Sequence, residues 1–151
     1  MFQPIYKSLK GSILIGIAVA LFVSSALADD SDTAFVLPMD RLQFQATGPG
    51  IEIAPVSGDP AGGSHTFFLR LAADFDGFMH THTASYTAVV ISGAAKHWEL
   101  NESRKYARVM KPGDTFFQKG GVPHQDANVA GETTIIFVSM DGVPDVFPFN
   151  E

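Results

Sequence analysis

Past residue 33 the chain never offers a long apolar pattern at helical spacing. It offers short runs rich in β-branched and aromatic residues, each closed by Gly, Pro or Asp. The runs "AFVLPM" (34–39), "IEIAPV" (51–56), "HTFFLRLAA" (65–73), "GFMHTH" (77–82) and "YTAVVIS" (86–92) read as strands. So do "AKHWELN" (95–101), "YARVM" (106–110), "DTFFQK" (114–119), "PHQDAN" (123–128) and "TTIIFVSM" (133–140). Between them lie "TGPG", "SGDPAGG", "ADFDG", "NESRK", "KPGD", "GGVP", "VAGE" and "DGVP". Many short strands with turn chemistry at this spacing specify an all-β sandwich or barrel. Helix is expected only as one short turn near Met39 to Gln43. Phe67, Phe68, Phe116, Phe117 and Phe137 are expected to fill the barrel interior or a subunit interface.

The first 28 residues stand apart. Lys7 and Lys10 precede an apolar run, Ile13 to Val23, and Ala26-Leu27-Ala28 follows as a small-x-small cleavage site. That order is the grammar of a secretory signal peptide, and the run falls well short of the roughly 20 residues of a membrane span. The expectation is a cleaved signal (1–28), a mobile leader (29–33) and one β-barrel domain (34–151), exported to periplasm or exterior, with no membrane anchor afterwards. Removing 28 of 151 residues leaves 123, enough for one core. All 16 acidic and all but two of the 10 basic residues lie there, a net charge of −8. That balance argues against nucleic-acid binding. The chain has no cysteine, which removes disulfides and thiolate metal sites from the possibilities.

Two of the five histidines sit one residue apart in "GFMHTHTASYTAVVISG" (77–93). In a strand, residues i and i+2 project from one face, about 6.6–7 Å apart. His80 and His82 therefore stand side by side. An unbroken strand continues their face with Ala84, Tyr86, Ala88 and Val90, an inward-looking set, while Thr81, Thr83, Ser85 and Thr87 look outward. A buried imidazole pair needs partners, and a metal ion is one way to supply them. A third histidine, His124, follows the turn "GGVP" and opens a later strand.

The segment Gly77…His80-Thr-His82…Gly93 resembles the first motif of the cupin barrels. Pro112-Gly113-Asp114…Gly121-Val122-Pro123-His124…Asn128 resembles the second. The upstream "VSGDPAGG" and the strand after it are similar to exported single-domain cupins related to the ChrR-type cupin domain. The resemblance implies a single-domain, jelly-roll-like β-barrel in which His80, His82 and His124 bind a divalent metal. It also implies a homodimer, with the apolar "AFVLPM" and "VFPFN" in need of a partner surface.

Two positions depart from the family pattern. Where the first motif ordinarily supplies a glutamate, four residues past its second histidine, this chain has Tyr86. Tyr86 could coordinate as a phenolate, hydrogen-bond a bound water, or pack. Where the second motif ordinarily has proline, this chain has Lys119, and Gln118 beside it is either an inward amide near the metal or an exposed strand end. His97, on a face shared with Ala95 and Glu99, is open as fourth ligand, general base or outward residue. Lys96 and Trp98 on the other face suggest surface or interface. His65 reads as a surface residue.

Three neutral imidazoles leave coordination positions open, the style of a catalytic site, and suit Zn, Fe, Ni, Cu or Mn. Two functions follow. One is a small-molecule metalloenzyme of oxygenase, lyase or isomerase type with Tyr86 or His97 as acid–base group. The other is a non-catalytic metal- or ligand-binding or sensor module.

Overall fold

The structure, a computed structural model, describes residues 34–150 with the exception of Ala130. The expected signal segment and leader lie outside the described residues. Two antiparallel sheets face one another. The strands are β1 (Gln45–Gly48), β2 (Ile51–Gly58), β3 (His65–Leu71), β4 (His80–Thr81), β5 (Tyr86–Ser92) and β6 (Ala95–Glu99). They continue with β7 (Val109–Met110), β8 (Thr115–Gln118), β9 (His124–Asn128), β10 (Thr134–Met140) and β11 (Phe147–Pro148). One sheet has the order β1-β2-β3-β10-β5-β8, the other β11-β4-β9-β6-β7. From β3 to β6 the chain changes sheet at every strand, so successive turns close a jelly-roll barrel. Among the described residues no helix is long and apolar enough to cross a membrane.

Alternation sets which side chains fill the space between the sheets. Along β5, Tyr86, Ala88 and Val90 are buried while Thr87 and Ile91 are exposed. Phe67, Leu71, Tyr86, Ala88, Ile136, Val138 and Met140 form the main core cluster. Val90, Ala95 and Met110 form a smaller one, and Phe116 packs against both.

Several sequence expectations need correction. Residues 34–39 form no strand. They lead into a 3-10 turn, Met39–Arg41, with Phe35 and Val36 exposed. β1 occupies a stretch read as a connection, and its register with β2 shifts between Ala46 and Gly48, which obscures any alternation. The run 77–82 shrinks to β4, and 106–110 to β7. Phe117 looks outward from the edge strand β8 and is exposed. Phe68 and Phe137 are cross-strand partners whose rings meet edge-on at 5.2 Å. His65 is buried, not superficial, because it begins the inward face that continues through Phe67. Trp98 is buried as well. The loop after β6 folds over it, with the Arg104 guanidinium 5.6 Å from its ring and paired to Asp76 at 2.9 Å.

The turn before β9 clasps the histidine segment. The Gly121 amide donates to the His82 carbonyl at 2.7 Å, and the Gly120 amide to Ser85 Oγ at 3.0 Å. A Cβ at Gly120 would fall 2.3 Å from the Thr83 carbonyl oxygen, so only glycine allows this approach. At the other end of β9, Asn128 donates to the carbonyls of Ala72 (2.9 Å) and Glu132 (2.5 Å) and accepts from Thr134 Oγ1 (3.0 Å).

Burial ranks the apolar positions for a stability test. Leu71→Ala removes a side chain that is 2% exposed and is expected to cost about 2–5 kcal/mol. Phe117→Ala, at a position 64% exposed, should stay within about 0.5 kcal/mol. Urea unfolding of both variants checks the ranking.

Candidate metal centre

Strand pairing gathers the three histidines. His80 on β4 stands opposite His124 on β9, and His82 follows one residue past the end of β4. The His80 and His124 ring centroids are 4.3 Å apart, His80 and His82 4.9 Å, and His82 and His124 5.2 Å. One ring nitrogen from each lies within 4.8 Å of the other two.

The other ring nitrogens explain the orientation. His80 Nδ1 faces the Phe78 carbonyl at 2.8 Å, His124 Nδ1 the Val122 carbonyl at 3.0 Å, and His82 Nδ1 the Asp145 carbonyl. A carbonyl oxygen only accepts, so each Nδ1 carries the proton and donates it. Each Nε2 is left with its lone pair. This is the outer hydrogen-bond pattern of metal-ligating histidines, which fixes both tautomer and ring angle. Burial also favours the neutral form a metal requires. It lowers the pKa of His82 against the opposing Asp145 carbonyl. It lowers His124 to about 4, with the Val122 carbonyl acting in the opposite direction. The residues present therefore fit a divalent ion held by three imidazoles.

Tyr86 stands where the glutamate was expected. Its hydroxyl is 3.2 Å from His124 Nε2 and donates to that lone pair. Burial, then the charge of Asp126, pushes the phenol pKa well up, so the proton stays on Oη. Tyr86 thus adjoins the ion position as a proton holder, and an ion on His124 Nε2 would take the lone pair that accepts its hydroxyl proton.

His97 points inward but stands outside the ligand cluster. Its Nδ1 donates to Asp126 Oδ1 and its Nε2 to Gln118 Oε1, both at 2.8 Å. The Gln118 orientation is set by its NH2 group, which donates to the carbonyls of Lys119 and Val122 at 3.1 Å each. With both nitrogens donating, His97 has no lone pair for a metal or for general-base work. Burial pulls its pKa down, but the Asp126 hydrogen bond and charge, aided by Gln118, outweigh this and raise it. For Asp126, burial alone would raise the pKa, and the His97 hydrogen bond and charge bring it down. His97 and Asp126 therefore form a partly buried ion pair beside the histidine cluster, the His97 ring 5.1 Å from His124 and 4.6 Å from Phe116. Gln118 is inward and buried, but it serves His97 rather than the ion position.

Sequence reasoning gave no role to two residues here. Asp126 was detectable, since it lies two residues past His124 on the same strand and opposite His97 in register. Asp145 carries no local signal. It reaches His82 across 63 residues of chain.

No protein-family model matches the chain, and no curated protein sequence matches it. Solved structures do. An RmlC-like cupin from Shewanella frigidimarina is 15% identical with a TM-score of 0.59, over 75% of this chain and 95% of its own. The polyketide cyclase RemF from Streptomyces resistomycificus is 16% identical with a TM-score of 0.65, over 79% and 87%. A protein with a double-stranded β-helix domain from Klebsiella pneumoniae is 17% identical with a TM-score of 0.61, over 79% and 100%. At these identities the likeness is one of architecture, and this chain has the RmlC-like cupin fold.

Proposed function

We propose that the chain binds a divalent metal ion through Nε2 of His80, His82 and His124 and acts on a small molecule as a metalloenzyme of the oxygenase, lyase or isomerase type. One observation carries the metal reading. All three imidazoles give their Nδ1 proton to main-chain carbonyls, which leaves three lone pairs within reach of one another. When bound, such an ion polarises a coordinated oxygen or acidifies a coordinated water. With no carboxylate in the ligand set, its full charge remains available to an anionic ligand.

The chain's own residues supply the rest. Tyr86 keeps a proton at Oη beside the ion position, 3.2 Å from a ligand nitrogen, and is the acid–base candidate toward a small molecule bound there. The apolar core around Tyr86, Phe116 and Met140 excludes water from that side. The His97–Asp126 pair adds a fixed dipole beside His124. The solved neighbours include a polyketide cyclase, which is consistent with enzyme chemistry on this scaffold. A non-catalytic metal-binding module is the second reading. It is favoured by the saturation of His97, which leaves no free histidine base beside the cluster among the described residues.

Calorimetric titration of metal-free protein with Zn2+ is expected to show one site. His80→Ala and His124→Ala should weaken it by more than the roughly 10–100-fold that loss of an outer hydrogen-bond partner costs. Tyr86→Phe should leave zinc affinity within a few-fold. In the enzyme reading, Tyr86→Phe also abolishes turnover of a metal-loaded protein that is active on a small-molecule panel. In the module reading, wild type and variant are equally inactive. Absence of zinc binding by the wild type removes both.

We also propose that the protein is exported and that it pairs as a homodimer. Intact-mass analysis of protein from the periplasm or medium should give a chain beginning at Asp29. Protein confined to the cytoplasm and still carrying residues 1–28 would remove the export reading.

A further inference from the structure

We propose that the segment after β10, residues 141–150, is a strap that completes the metal centre, with Asp145 as the positioning residue of His82. The inference rests on the three-histidine metal reading above. His80 and His124 are held by strand pairing with one another, and each donates Nδ1–H to the carbonyl two residues before it. Their ring angles are set within their own segments. His82 lies past the end of β4 and lacks that arrangement. Its Nδ1–H goes instead to the carbonyl of Asp145, in a different part of the chain.

Asp145 is fastened to the same place by its side chain. Its Oδ1 accepts the Thr83 amide at 2.8 Å, so one residue grips His82 by its main chain and the next residue by its carboxylate. The strap has further attachments on either side. The Asp141 amide donates to the Ser85 carbonyl at 3.2 Å, and the Phe149 amide to the Met79 carbonyl at 2.9 Å. β11 pairs with β4, Phe147 opposite Thr81 and Pro148 opposite His80. The strap is otherwise lightly held, since Val143, Val146 and Phe147 are all exposed. A segment with few buried apolar contacts opens locally at low free-energy cost.

These facts couple strap docking to metal binding. If the docked strap orients one of three ligands, an ion binds more tightly to the docked form. By linkage, the ion must then favour docking to the same degree. A strap that merely covers the surface would show no such reciprocity.

The test uses the full chain and Zn2+ as probe. Asp145→Ala frees Thr83 N–H and loosens the strap, and it should weaken zinc binding by about 10–100-fold. Asp145→Asn keeps an oxygen that accepts from Thr83 and should bind within a few-fold of wild type. Hydrogen exchange on the unmutated protein gives the independent readout. The Thr83 and Phe149 amides should exchange more slowly with zinc than without. Wild-type zinc affinity in Asp145→Ala, or unchanged exchange at both amides in a wild type that binds zinc, overturns the strap's role and leaves the metal reading intact. If the wild type binds no zinc, the metal reading falls and takes this inference with it.

Discussion

A neutral imidazole has one proton to donate and one lone pair to offer, and whatever receives the proton decides where the lone pair points. In this barrel the carbonyls of Phe78, Val122 and Asp145 receive three such protons. The remaining lone pairs are turned toward one another. Burial reinforces the choice by disfavouring the charged ring, so His124 stays neutral far below neutral pH. Much of the surrounding structure serves to keep those carbonyls in place. The Gly120–Gly121 turn, with no room for a Cβ at Gly120, presses the His124 segment against His82 and Thr83.

Around this centre the polar groups are arranged so that each buried one has a use. Gln118 gives both amide protons to main-chain carbonyls and its oxygen to His97, and His97 gives its second proton to Asp126. Tyr86 gives its proton to His124. The exception among the described buried side-chain atoms is His65 Nε2, which has no hydrogen-bond partner. His65 lies in the same register row as Met140 and Tyr86 across the large sheet, stacked 5.4 Å from Phe67.

How far the sequence could be read depends on how local each signal is. The inward run Tyr86, Ala88, Val90 was legible because alternation in a strand is set by two neighbouring peptide units. The pair His80-Thr-His82 was legible from its spacing, although β4 ends at Thr81 and the His82 ring is turned by Asp145. Trp98 and His65 were misjudged because their burial comes from elsewhere. A loop carrying Arg104 covers Trp98, and the closure of the barrel encloses His65. The strand expected at 34–39 fails because apolar, β-prone residues form a strand only where a partner edge exists, and none of the described edges takes this one. The short β1, by contrast, exists because β2 offers it an edge.

The sequence by itself determined the all-β architecture, the absence of thiol chemistry and the three histidines that could share an ion. The first two follow from composition and turn residues; the His80/His82 pair follows from the two-residue period of a strand, and His124 joins it through the resemblance of its motif to the second motif of the cupin barrels. The tertiary structure decided what each polar side chain does. It turned Tyr86 into a donor on His124, and it tied up both nitrogens of His97. It moved Gln118 from the ion to His97, and it brought Asp145 to His82 across 63 residues. Such roles depend on where a hydrogen bond's second partner lies, and that is known only once distant strands are in register.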